Sequence, residues 1–185
     1  MKVEVQKQEY IFRSRWLTVR KDDLLTDNQQ VIEGYYVVEG SDIVMVVAIN
    51  HKNEVIIKSE YRYPVNQVLT EIPGGMFTLE KELPLDAAKR ELKEETGCES
   101  IEWELLGRTY CNPARQTSTT YLYLAKNCVQ SSEQNLDESE EILSLKSEWV
   151  PFKDAINMVL ANEINVNNSA NALLRCAILY PELLG

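Results

Sequence analysis

Two adjacent stretches decide how this chain is read: Glu71-Ile72-Pro73-Gly74-Gly75 and, after a short loop, Arg90-Glu91-Leu92-Lys93-Glu94-Glu95-Thr96-Gly97. Pro84 suits a first helical turn, Gly97 suits a stop, and Ala87, Ala88 and Leu92 supply an apolar side, which predicts a helix over residues 84–96. On that helix Glu91 and Glu95 stand four apart and share a face, with Glu94 beside them. Like charges at that spacing repel by roughly 0.2–0.5 kcal/mol. Arg90 can orient Glu94 through an i,i+4 pair. A solvated acidic face is the usual meaning of a Glu/Lys-rich helix. Crowded carboxylates also suit a hard divalent cation such as Mg2+, which takes oxygen ligands and keeps several waters.

The rest of the composition removes other chemistries. The 185 residues suffice for one full core, or for one domain plus an N-terminal extension. His51 is the sole histidine, which argues against a histidine triad or a zinc centre. The four cysteines, Cys98, Cys111, Cys128 and Cys176, lack the paired spacing of a zinc cluster or disulfide framework. A net charge of −10 disfavours nucleic-acid binding through the phosphate backbone. No apolar run approaches the ~18–20 residues that span a membrane. The start, Met1-Lys2-Val3-Glu4-Val5, lacks the apolar centre of a secretory signal, so a cytoplasmic location is expected.

Periodicity predicts mixed α and β structure. Tyr10-Ile11-Phe12, Trp16 to Arg20 and Tyr35 to Val38 read as strands of a small antiparallel unit, with Asp27-Asn28 as a turn. The continuous apolar run Ile43 to Ile49 reads as a buried strand, and Glu54 to Lys58 as its hairpin partner. Trp103 to Tyr110, Thr119 to Ala125 and Leu143 to Val150 are further strands, with a polar loop at Cys111 to Ser118. Gln130 to Glu141 reads as an exposed acidic loop. Helical spacing recurs at Lys153 to Leu160 and Asn168 to Tyr180, where Ser169 is a candidate cap.

Glu82, seven intervening residues, then Arg90, Glu91, Leu92, Glu94, Glu95 and Gly97 resemble the signature of the Nudix hydrolases. The loop Met76 to Lys81 is one residue longer than that signature has. Glu60-Tyr61-Arg62-Tyr63-Pro64, Tyr35 to Val38 and Glu71 to Gly75 are similar to the ADP-ribose pyrophosphatase branch. The resemblance implies an α+β protein, a Nudix α/β/α sandwich with a mixed sheet over residues 41–185, preceded by an antiparallel β extension over residues 1–40 that forms a homodimer. It implies Mg2+, with Mn2+ as a substitute, held by Glu91, Glu94, Glu95 and the Gly74 carbonyl. The implied chemistry is hydrolysis of a diphosphate linkage in a nucleoside diphosphate-X, ADP-ribose first among the small-molecule substrates. The cation would neutralise phosphoryl charge and activate water.

Arg62 is the first candidate to grip the diphosphate, since its guanidinium offers two donors at once. Arg115 is the second, and Glu71 is counted with them as substrate-binding. Arg90 is counted with the catalytic glutamates in an orienting role. A base from a loop after the signature helix is implied, and the loop Cys111 to Ser118 holds no acid. That leaves Glu138, Glu140 and Glu141, or a signature glutamate itself. Two other readings stay open. One is a different Nudix substrate, such as GDP-mannose, a dinucleotide cofactor or an oxidised nucleotide; the other is a nucleotide-binding module without turnover.

Overall fold

A computed structural model describes residues 2–185. They form two compact units, one reaching to Ser41 and including Tyr110–Thr119, the other comprising Asp42–Thr109 and Thr120–Gly185.

The first unit is an antiparallel meander of β1 (Val3–Arg13), β2 (Thr18–Thr26) and β3 (Val31–Glu39). Trp16 and Leu17 are not strand, contrary to expectation. Ser14 Oγ accepts from both their amides, at 3.2 and 3.0 Å, and closes a tight connection before β2. The polar loop after Tyr110 is stitched to β3: the Val38 amide donates to the Arg115 carbonyl at 2.7 Å, and Tyr35 Oη to the Ala114 carbonyl at 2.7 Å. β1 is exposed along its whole length, including Val3, Val5, Tyr10, Ile11 and Phe12.

The second unit runs β4 (Asp42–Ala48), β5 (Glu54–Arg62), β6 (Gln67–Glu71), β7 (Gly74–Phe77), α1 (Pro84–Thr96), β8 (Cys98–Glu99) and β9 (Glu102–Tyr110). It continues through β10 (Thr119–Lys126), β11 (Val129–Gln130), α2 (Glu138–Ile142), β12 (Lys146–Pro151), α3 (Phe152–Leu160) and α4 (Asn167–Leu179). One sheet has the order β7-β4-β10-β9, with β4 parallel to β10 and antiparallel to β7; another has the order β12-β5-β6. The expected strand pair of β4 with β5 does not form; just past the end of β4 an Ile49–Val55 bridge and an Asn50 amide donating to the Glu54 carbonyl at 3.0 Å close the turn. A strand apolar on both faces takes an interior place between two partners, and β4 finds them in β7 and β10.

Alternation sorts the side chains into two layers. Val44, Val46, Ala48 and Ile56 pack with Ala87, Ala88 and Leu92 of α1. Met45, Val47, Val55 and Ile57 pack with Phe152 and Ala155 of α3 and with Ala172, Leu173 and Cys176 of α4. The result is the expected α/β/α sandwich.

Helix α1 has the expected bounds. Pro84 opens it, and Gly97, at φ 70°, closes it with its amide on the Lys93 carbonyl at 2.8 Å. Two local expectations are corrected. The acidic segment is not all loop: Asp137 and Glu140 form a reciprocal capping box that starts α2. Ser169 is not a cap but lies buried inside α4, where its Oγ accepts from the Ile72 amide at 3.2 Å. Among the described residues no helix is long and apolar enough to cross a membrane, and all four cysteines are free thiols.

Candidate active site

Four elements of the second unit converge on one cleft. Strand β5 sends Lys58, Glu60 and Arg62 from a single face, because residues two apart in a strand point the same way. Glu71 stands directly across from Lys58 in the antiparallel register of β5 and β6. Strand β7 brings Gly74 and Gly75 beside Met45 and Val44. Helix α1 contributes Arg90, Glu91, Glu94 and Glu95. All but Val44 line a cavity of about 690 Å3, closed on another side by Asp137 and Glu140.

The cleft is dominated by negative charge. Seven carboxylates, Glu60, Glu71, Glu91, Glu94, Glu95, Asp137 and Glu140, face three cations, Lys58, Arg62 and Arg90. Arg90 is the hub of the outer half. Its Nη2 and Nε donate to Glu82 at 2.7 and 3.3 Å, and its Nη1 to Glu91 at 2.7 Å and Glu94 at 3.0 Å. The expected Arg90–Glu94 pair is therefore present, and Glu82 joins it despite the longer loop. Burial pushes the Glu91 carboxyl above its ordinary range; Arg90 pulls the other way, and the Glu94 and Glu140 charges add to the rise.

The inner half is built on Glu95, which is 1% exposed. One carboxylate oxygen accepts from the Lys58 ammonium; the other accepts from the Gly74 amide at 2.8 Å. Burial raises the Glu95 pKa to about 7, against the opposing pull of Lys58 and the Gly74 amide. Burial works against the Lys58 charge, yet Glu95, Glu60 and Glu71 outweigh it and hold the ammonium charged.

Arg62 is clamped. Its Nε and Nη2 donate to the two Glu71 oxygens at 2.8 and 3.1 Å, and its Nη1 to Glu60 at 3.0 Å. Three of a guanidinium's five N–H groups are thereby used and two remain. Glu71 thus holds Arg62. Arg115 belongs to the other compact unit, its guanidinium 5.2 Å from the Tyr35 ring centroid.

The three acids of α2 separate cleanly. Glu140 lines the cavity, whereas Glu138 and Glu141 do not. The Asn135 amide donates to the Glu94 carbonyl at 2.8 Å, and Gln134 Nε2 donates to the Glu95 carbonyl. These bonds strap the segment before α2 to the end of α1. Lys58 and Glu60 were missed by sequence reading. The signal was there: charges alternating at Lys58, Glu60 and Arg62 within a strand mark one polar face.

Among the described residues no three His, Cys, Asp or Glu side chains converge into a ready-made metal cage. Arg90 bridges Glu91 and Glu94, and Lys58 bridges Glu60 and Glu95. The site nevertheless fits a hard divalent cation on two observations. Its donors are all oxygens, as Mg2+ requires, and Mg2+ typically takes only one or two carboxylates plus substrate phosphates. The Glu91 carboxylate also rests in a cradle left open by Gly75, where an added Cβ would lie 2.4 Å from it.

The chain is similar to several known proteins. A methanol dehydrogenase activator of Bacillus methanolicus is 36% identical over 140 residues, covering 72% of each chain. An ADP-ribose pyrophosphatase of Bacillus subtilis (strain 168) is 27% identical over 168 residues, covering 90% of this chain and 88% of its own. The crystal structure of an ADP compounds hydrolase shares the fold with a TM-score of 0.82 at 21% identity, covering 98% of this chain and 96% of its own. The NUDIX domain family matches residues 41–172, and the chain belongs to the Nudix family of hydrolases.

Proposed function

We propose that this Nudix pyrophosphohydrolase cleaves the diphosphate linkage of a nucleoside diphosphate-X, with ADP-ribose as its first-ranked substrate. Water oxygen attacks one phosphorus, the bridging P–O bond breaks, and a nucleoside monophosphate and a phosphorylated X leave. The observation that carries this reading is the placement of Glu91, Glu94 and Glu95 on one cleft wall against Gly74 and Gly75. The oxygen donors available to Mg2+, or to Mn2+ in its place, are those three carboxylates and the Gly74 carbonyl. When bound, the cation neutralises phosphoryl charge and lowers the pKa of the attacking water.

The chain's own groups supply the rest. Glu140 is the general base, because it alone of the three α2 acids faces the cleft. Its carboxylate takes the proton of the attacking water. Arg62 turns its two remaining N–H groups toward phosphate oxygens while Glu71 fixes the plane of its guanidinium. Arg90 keeps Glu91 and Glu94 oriented and separated.

Phosphate release measured with Mg2+ across ADP-ribose, GDP-mannose, dinucleotide cofactors and oxidised nucleotides tests this reading. Turnover of ADP-ribose above the others is the expected result. Tight calorimetric binding without hydrolysis in either metal would replace the enzyme by a binding module.

The assembly we infer is a homodimer through the first unit. A strand with Tyr10, Ile11 and Phe12 all exposed, at the edge of its own sheet, invites a partner. Light scattering on the purified chain should give twice the 21.3 kDa chain mass; a monomer at micromolar concentration removes this part of the reading.

A further inference from the structure

Lys58 is the sole lysine on the cleft wall, and its side chain is only 2% exposed. Its ammonium contacts Glu95 and lies 3.6 Å from Glu60. Glu71 faces it across the strand pair. Burying an ammonium is expensive unless carboxylates surround it, and a whole buried ion pair can often be replaced by apolar residues of similar volume without loss of stability. Ile56, two residues earlier on the same strand face, shows that this face accepts such a residue. The charge of Lys58 therefore calls for a role in the cleft.

Glu95 shows what that role is. Both of its oxygens are engaged, one by Lys58 and the other by the Gly74 amide. Among the described residues Glu91 and Glu94 are paired only with Arg90, whose side chain is 36% exposed; Glu91 keeps 10% and Glu94 37% of its side chain exposed. The cleft thus has one acidic end held by a solvent-reached arginine and one neutralised from within by a buried lysine.

We propose that Lys58 is a built-in cation of this site, occupying through its ammonium the place beside Glu95 that a second divalent ion would take. The cleft then holds one divalent ion, among the oxygen donors of Glu91, Glu94, Glu95 and Gly74, and Lys58 is a positioning residue that fixes Glu95 and, through it, Gly74. This rests on the metal-dependent reading given above, but it makes a separate claim about stoichiometry. Removing the ammonium without loss of bulk leaves Glu95, Glu60 and Glu71 with Arg62 as their remaining cation, an arrangement that recruits a further ion.

Mn2+ binding in the absence of substrate, followed by loss of the free-ion electron paramagnetic resonance signal, tests this. The unaltered chain should bind one Mn2+ and Lys58→Met two, with Lys58→Arg remaining at one. Two ions on the unaltered chain would overturn the assignment, as would an unchanged count and affinity in Lys58→Met. If Lys58→Met fails to fold by circular dichroism, the counts for the unaltered chain and Lys58→Arg decide: one ion on each supports the assignment, two on either overturns it. Either overturning count, seen alongside diphosphate hydrolysis, removes only the role of Lys58. Failure of the unaltered chain both to bind Mn2+ and to hydrolyse any diphosphate removes the functional reading and this one together.

Discussion

The Glu91 carboxylate lies where the side chain of residue 75 would be if that residue were not glycine. An added Cβ at Gly75 would meet all three carboxylate atoms of Glu91 at 2.4–2.5 Å. The neighbouring Gly74 is tight for a different reason, since its Cβ would lie 2.2 Å from the Val44 carbonyl oxygen. The two glycines therefore separate site from scaffold. Gly75→Ala should reduce kcat/KM by about 100-fold, the usual effect of an ångström-scale shift of a reacting group, with little change in melting temperature. Gly74→Ala should lower the melting temperature first. Steady-state kinetics and thermal melts on both variants distinguish the two effects.

Glu95→Gln keeps the shape of the side chain but leaves the buried Lys58 ammonium without its nearest charge partner. Breaking a buried pair from one side destabilises by about 3–5 kcal/mol. For a chain of this size that corresponds to a fall in melting temperature on the order of 10 °C. Loss of activity should accompany it. Calorimetric melting checks the first effect, and an unchanged melting temperature would remove the Lys58–Glu95 pair as a structural element.

Glu140→Gln isolates basicity from structure. Glutamine can still accept the Asp137 amide hydrogen bond of the capping box, so α2 should persist. Removing a general base typically lowers the rate by about 100-fold to 10,000-fold. Glu138→Gln and Glu141→Gln, outside the cleft, should stay within about twofold of the unaltered chain. Equal effects at all three positions would deny Glu140 its assignment.

Acidity should couple to metal. Glu95 has its pKa raised from 4.5 to about 7, and Glu91 is shifted the same way, both by burial first. Between those limits the folded chain holds more protons than the unfolded chain, so these two groups make stability fall as pH rises through the window. A divalent ion binds the deprotonated carboxylates and displaces those protons. The gain in melting temperature on adding Mg2+ should therefore be larger at about pH 7.5 than at about pH 5.5. Scanning fluorimetry at both pH values, with a chelator as control, measures it.

Much of this arrangement was legible in the linear chain because it depends on short-range rules. Pro84 and Gly97 delimit α1 through backbone geometry alone, and the helical period then puts Glu91 and Glu95 on one face. The pairing of β4 was not legible. Its apolar run marks a buried strand but carries no record of which partners flank it, and the nearest strand in sequence was the wrong one. Lys58 was overlooked because β5 was read for its apolar start rather than for the alternation of its charged end. The loop before Glu82 is one residue longer than the signature, yet a flexible arginine spans the difference and clamps Glu82 to the helix. Helix α2 lacked apolar periodicity, although the Asp137–Glu140 spacing that starts it could have been noticed.

The predominance of carboxylates in the cleft, on a chain of net charge −10, bears on how substrate arrives as well as on how it reacts. A diphosphate approaching this surface meets repulsion at long range and attraction only at the last few ångströms. Diffusional encounter is therefore slowest in dilute buffer, and added salt, by shortening the reach of the field, speeds capture instead of hindering it. The molecule sorts its ligands by the company they keep, admitting most readily those that come already wrapped in their counterions.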